Sequence, residues 1–215
     1  MVRLLCYFCA LSMFFPFTLS YADTVEVDYK TFYSHVRKLN SDDTQALQFA
    51  FGFRHIHSAK LCTINEARIS TQKQQLPLEV SSENRFLIQS ERALRLADAK
   101  VIIDFVEPSN TCDISVQLET KDEYLQDSYT VNELNKLYQN YQAFFNEMGG
   151  FMSFMMPQVD GLTFQFADKN LSSSLSNGMR IEKGIITLEP QNFAQFENVR
   201  LPAVPMRITA KTSRS

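Results

Sequence analysis

Apolar side chains crowd the start of the chain and then settle into periodic patterns. Residues 4–19 form an almost unbroken apolar run, and Arg3 is the only charged group before Asp23. Ser20-Tyr21-Ala22 follows as a small-x-small step, so this stretch reads as a secretory signal peptide over 1–22, cleaved after Ala22. The run is shorter than the roughly 20 residues that cross a bilayer, and Pro16 interrupts it. An uncleaved anchor is the rival reading. Beyond it, Asp28 is placed to cap a helix over 29–39, with Phe32, Val36 and Leu39 on one stripe. From Leu47 the period changes to two. Leu47, Phe49, Phe51 and Phe53 fall on one face and Gln48, Ala50, Gly52 and Arg54 on the other, which predicts a half-buried strand.

Residues 61–80, 85–89, 99–106 and 112–119 predict further short strands, punctuated by Pro77, Ser81 to Asn84 and Glu107 to Asn110. Strands at this spacing suggest a small antiparallel β-sandwich. After Asp127 the period returns to that of a helix. Thr130-Val131-Asn132-Glu133 is a capping box. Val131, Leu134, Leu137, Tyr138, Tyr141, Phe144, Phe145 and Met148 then make a wide apolar face that Gly149-Gly150 closes. Strands are expected again at 162–166 and 206–210, with a hairpin around Glu182-Lys183-Gly184. The predicted class is α+β, mainly β. Residues 23–121 form an N-terminal helix plus a disulfide-pinned sandwich module. Residues 122–215 form an α+β module packed on it, and the two are open to being one domain.

Composition changes this picture in two ways. The net charge is −3, and loss of the signal, with its single charged residue Arg3, makes the remainder one unit more negative. That balance gives no electrostatic case for nucleic acid or anionic lipid, and no later stretch predicts stable membrane insertion. Of four cysteines, Cys6 and Cys9 lie inside the apolar run, which leaves Cys62 and Cys112. A single pair in an oxidising compartment is most simply a disulfide. Closing a loop of about 50 residues stabilises a fold by roughly 4 kcal/mol in the chain-entropy account. A reactive or metal-binding thiol pair is the alternative, without a Cys-x-x-Cys motif or an adjacent histidine to support it.

Lys60-Leu61-Cys62-Thr63-Ile64, Leu76-Pro77-Leu78, Ala99-Lys100-Val101, Cys112-Asp113-Ile114 and the Phe-rich stretch from Gly150-Phe151 to Gly161-Leu162 occur in this order. In this the chain resembles a secreted gammaproteobacterial family known only as domain of unknown function 2987. The resemblance implies a Gram-negative periplasmic address and a cysteine pair within the sandwich module. It implies no activity and no catalytic residues.

Candidate chemistry is sparse. His55 and His57, two apart on a predicted strand, share a face and together can clasp a divalent metal. A closed metal site takes three or four ligands, however, and the remaining histidine, His35, sits on the predicted N-terminal helix. Polar residues at a strand end are the plain alternative. No Gly-x-Ser-x-Gly elbow and no phosphate-cradling glycine pattern occurs, and no cofactor is implied. Asp104, Asp113 and Glu119 are carboxylates that folding could pair. The chain has 18 phenylalanines and no tryptophan, and after the signal its phenylalanines gather with methionines over 144–156. Phe144, Phe151, Met152 and Met155 are therefore candidates for an adaptable apolar groove, with core packing as the competing reading. These patterns fit a non-catalytic soluble periplasmic protein that binds an envelope partner or an apolar ligand. The rivals are an envelope hydrolase outside recognised motifs and a metal-handling protein that uses His55 and His57.

Overall fold

The computed structural model describes residues 23–150, 157–175, 178–193, 195 and 197–213. The expected signal peptide, and with it the cleavage point after Ala22, lies outside the described residues. Strands and helices follow in the order β1 (Asp23–Asp28), α1 (Tyr29–Val36), β2 (Leu47–His55), β3 (Ile64–Ser70), β4 (Gln75–Leu78), β5 (Phe86–Leu87), α2 (Arg92–Leu96), β6 (Lys100–Phe105), β7 (Cys112–Thr120), β8 (Ser128–Thr130) and α3 (Val131–Gly149). The remainder is β9 (Gln158–Gln165), β10 (Ser173–Ser174), β11 (Arg180–Ile181), β12 (Ile185–Leu188), α4 (Pro190–Phe193), β13 (Asn198–Arg200) and β14 (Arg207–Ser213). The class is α+β with several antiparallel sheets and one long helix.

Three sheets carry most of the chain. One runs β1-β6-β3-β4, a second β5-β2-β7 and a third β12-β9-β14, all antiparallel. The first two face each other, with the rings of Phe53 and Phe105 meeting edge to face at 4.9 Å. The alternation read at Leu47 is present in β2, and its Phe face collects the other layers. Phe51 meets Phe32 of α1 at 5.0 Å, and Phe49 meets Phe144 of α3 at 5.6 Å. The opposite face of β2 is more covered than half-buried. Ala50 and Gly52 are buried because the 81–85 loop lies across them. A Cβ on Gly52 would come within 2.8 Å of the Asn84 carbonyl oxygen, so only glycine admits the loop there.

α3 forms as its sequence dictates. The Thr130 hydroxyl accepts from the Glu133 N–H, and the Glu133 carboxylate accepts from the Thr130 N–H at 2.8 Å. At its other end Gly150 caps with φ +46, a conformation that glycine adopts without a Cβ penalty. Leu134, Leu137, Tyr141 and Phe144 are buried, whereas Met148 at the end of the stripe is exposed. The fully buried Tyr141 hydroxyl donates to the Ile208 carbonyl at 2.7 Å and lies 3.1 Å from the Thr120 hydroxyl. It thereby ties α3 to both β7 and β14.

Several local expectations differ. The predicted helix over 29–39 is α helix only to Val36 and continues as a 3-10 turn to Leu39. Asp28 makes no cap hydrogen bond, because it closes β1 and its carboxylate takes the ammonium groups of Lys100 and Lys30 instead. The predicted 61–80 strand is two strands, β3 and β4, turned at Thr71–Gln74 by the Thr71 hydroxyl. β1, paired along its whole length with β6, is a strand where the sequence pattern predicts none.

Two outcomes follow for stability. Thr130→Ala should lower unfolding free energy by about 1 kcal/mol in urea melts, with Thr130→Ser recovering most of it. Lys100, with Lys30, holds the Asp28 carboxyl down to about 2. Its folded value thus lies below the unfolded one, so its contribution is complete above the ordinary carboxylate value of about 4 and disappears as pH falls towards 2. Lys100→Gln should therefore flatten the acid limb of Tm against pH over that window.

Candidate functional site

β7 is the outermost strand of its sheet, paired with β2 along its whole length, and among the described residues no strand is hydrogen-bonded to its other side. The register fixes which backbone groups face outward. The Ile56 N–H donates to the Thr111 carbonyl and the Lys121 N–H to the Ala46 carbonyl, both in the same register as the ladder. Hydrogen-bonded pairs alternate in an antiparallel ladder. Asp113, Ser115 and Gln117 therefore spend their N–H and C=O groups on β2, while Ile114 and Val116 aim theirs at the open edge.

The side chains of that edge are apolar. Ile114 lies opposite Phe53 and Val116 opposite Phe51, so both stand on the sheet face that carries the phenylalanine core. Phe53 and Phe51 are buried, yet Ile114 and Val116 are 42% and 37% exposed, and Ile56 at the tip of the β2 end is 49% exposed. Ile56, Ile114 and Val116 share an open cleft of about 710 Å³ with His55 and His57. Cys112, the first residue of β7, is bonded to Cys62, so the disulfide anchors the start of this edge. β14 comes alongside at the other end, where Arg207 meets Glu119 and Tyr141 bridges Thr120 to Ile208.

The histidines are divided. His55 ends β2 and His57 lies in the following turn, not on a continued strand, with rings 5.7 Å apart. His55 Nδ1 accepts from the His57 backbone N–H at 3.2 Å, which occupies that nitrogen. His35 packs edge-on against Phe49 at 5.7 Å, and burial lowers its pKa. Phe49 is six residues along β2 from His55, roughly 20 Å away. Among the described residues no group of three or more His, Cys, Asp or Glu side chains is placed to hold a metal.

Asp113 and Glu119 do not pair either. They stand six residues apart on β7, again roughly 20 Å, beyond the separation at which two carboxylates act on one bond. Burial pushes against the ionised Asp104, but bonds from Thr24 and Arg68 hold its carboxyl below the usual range. Burial pushes the Glu119 carboxyl up, against the opposing pull of Arg207 and Gln48. Arg207 spreads its fork over Glu119 at 2.8 Å, Gln165 at 3.2 Å and Glu83. That network, which sequence reading missed because its members are scattered along the chain, pins β14 and β9 to β7 and to the 81–85 loop.

Of the groove candidates, Phe144 is buried between Phe49 and Phe145. Phe151, Met152 and Met155 lie outside the described residues. Phe145, not Phe144, lines the cleft of about 730 Å³ beside α3, with Tyr138, Asp160, Glu189 and Lys211. The polar lining of this cleft contrasts with the apolar edge of β7. Among the described residues no helix is long and apolar enough to cross a membrane.

Comparison with known proteins gives a family match. The family model described as a protein of unknown function (DUF2987) matches residues 21–166. No match is found among curated proteins or solved structures.

Glu119 and Arg207 are each only 12% exposed. Removing Arg207 should leave the buried Glu119 carboxylate with the Gln48 amide as its remaining hydrogen-bond donor and no ion-pair partner. Arg207→Met is expected to cost roughly 3 kcal/mol in urea unfolding, and Arg207→Met with Glu119→Leu to recover most of it.

Proposed function

Since the chain belongs to the DUF2987 family, whose description carries no activity, we propose from its geometry that it is a non-catalytic, exported protein that docks an extended strand of an envelope partner on the open edge of β7. One observation carries this reading: outward-facing backbone groups and exposed apolar side chains coincide at Ile114 and Val116. An unpaired edge offers main-chain hydrogen bonds to any extended segment, and side chains at alternate positions select among segments. The incoming strand would set apolar residues beside Ile114 and Val116 and polar ones beside Asp113, Ser115 and Gln117. Soluble proteins commonly blunt such edges with lysine, proline or a bulge. Here residues 113–117 contain none of these, and the pairing of β7 with β2 runs without a register shift.

Export is part of the proposal. The apolar run before Ala22 and the Cys62–Cys112 bond support it, because disulfides persist in oxidising compartments.

A short peptide of alternating valine and threonine is a suitable probe. Added to protein dilute enough to be monomeric, it should slow amide hydrogen exchange at Ile114 and Val116 while leaving Ser115, already bonded to β2, unchanged. Val116→Pro removes an outward N–H that β2 does not use, and so should abolish the protection without unfolding the protein. Unaltered exchange at Ile114 and Val116 under saturating peptide would sink the reading.

A further inference from the structure

The sequence of β7 makes its open edge complementary to itself. We infer that the resting occupant of the edge is a second copy of this chain, paired antiparallel about a two-fold axis at Ser115; this rests on the reading of β7 as a docking edge. Faces, charge and strand length together choose this register. Opposed residues in an antiparallel pair share a face. Only an even offset therefore continues the apolar face of one copy into that of the other. An axis at Asp113 would set that carboxylate against its own copy, and an axis at Val116 would set Asp113 against Glu119 of the partner subunit. Like charges directly opposed are destabilising. An axis at Ile114 would run Gln117 into the turn at Ser109–Thr111.

With the axis at Ser115 the like-charge oppositions vanish, and the turn is met only opposite Glu119, two residues further along β7. Ile114 pairs with Val116 of the partner subunit, and both residues present outward N–H and C=O groups, so the pair exchanges two hydrogen bonds. Asp113 meets Gln117 of the partner subunit, an amide donor opposite a carboxylate. Ser115 faces its own copy as a non-hydrogen-bonded pair, with Cα atoms about 4.5 Å apart. The exposed surfaces of Ile114 and Val116 from both copies then lie side by side, and the sheet becomes continuous through six strands, three from each copy. A strand from an envelope partner would have to displace this pairing, so the copy acts as a removable guard on an otherwise adhesive edge.

Single-cysteine variants read the register directly. A Cα separation of about 4.5 Å lies within the range a disulfide spans. Ser115→Cys should therefore form a covalent dimer under glutathione-buffered oxidation, scored on a non-reducing gel. Asp113→Cys should stay monomeric, because its own copy is four residues along, roughly 13 Å away. Adding Val116→Lys to Ser115→Cys should cut the covalent dimer by about 10-fold, the effect of a change near 1.4 kcal/mol. Sedimentation of the unmodified protein should show mass rising towards a dimer with concentration. A monomeric Ser115→Cys chain, or equal cross-linking at Asp113→Cys, overturns the two-fold pairing. If the valine–threonine peptide still protects Ile114 and Val116 in that case, the docking edge stands and only its self-occupancy falls. If the peptide fails as well, both fall together.

Discussion

Two helices and two strands meet on one face of β2. Phe49, Phe51 and Phe53 project from it at alternate positions and touch α3, α1, β5 and β6 through Phe144, Phe32, Phe86 and Phe105. A strand of nine residues can serve so many neighbours because its period of two keeps all three rings on the same side. The edge-to-face geometry of several of these pairs adds direction to an otherwise non-directional burial. A one-residue slip of β2 against β7 would turn all three rings to the polar side, so the register of this sheet is held by the whole core. The same apolar face runs on across β7, where Val116 and Ile114 continue it past the limit of what the helices cover.

The parts of the fold legible in the sequence are those set by near neighbours. β2 could be read from strict alternation, α3 from its capping box and stripe, and the Cys62–Cys112 bond from the arithmetic of a single remaining pair. The parts that escaped depend on distant partners. β1 is a short strand whose Val25 and Val27 alternate weakly with charged residues, and its identity comes from β6, far along the chain. Asp28 looked like a helix cap because its neighbours suit one, yet a lysine brought in by β6 competes successfully for the carboxylate.

The candidate site was legible only in part. His55 and His57 drew attention as a chemical pair, and the structure places them beside the β7 edge with no third ligand among the described residues. The Phe/Met stretch suggested a groove, and its described member Phe144 is core. What sequence alone could not reveal is that Ile114 and Val116 are on the outermost strand. Their alternation with Asp113, Ser115 and Gln117 fits an inner or an outer strand equally, and only the order of strands in the sheet decides between them. The buried Glu119–Arg207–Glu83 network is hidden for a similar reason, since residues 88 and 124 positions apart carry no mutual signal.

β9 is the central strand of the third sheet, and its two neighbours have a different consequence. It pairs with β12 on one side and β14 on the other, both drawn from beyond residue 166, where the family match stops. Tyr141 and Arg207 bind that added sheet to β7. The matched stretch thus holds β9 without the two strands that flank it. A fragment trimmed to residue 166 would keep β9 with both flanks bare and α3 without the carbonyl of Ile208, turning an interior strand into two new adhesive borders. Boundaries for expression belong after Ser213, where the last strand of the shared sheet ends.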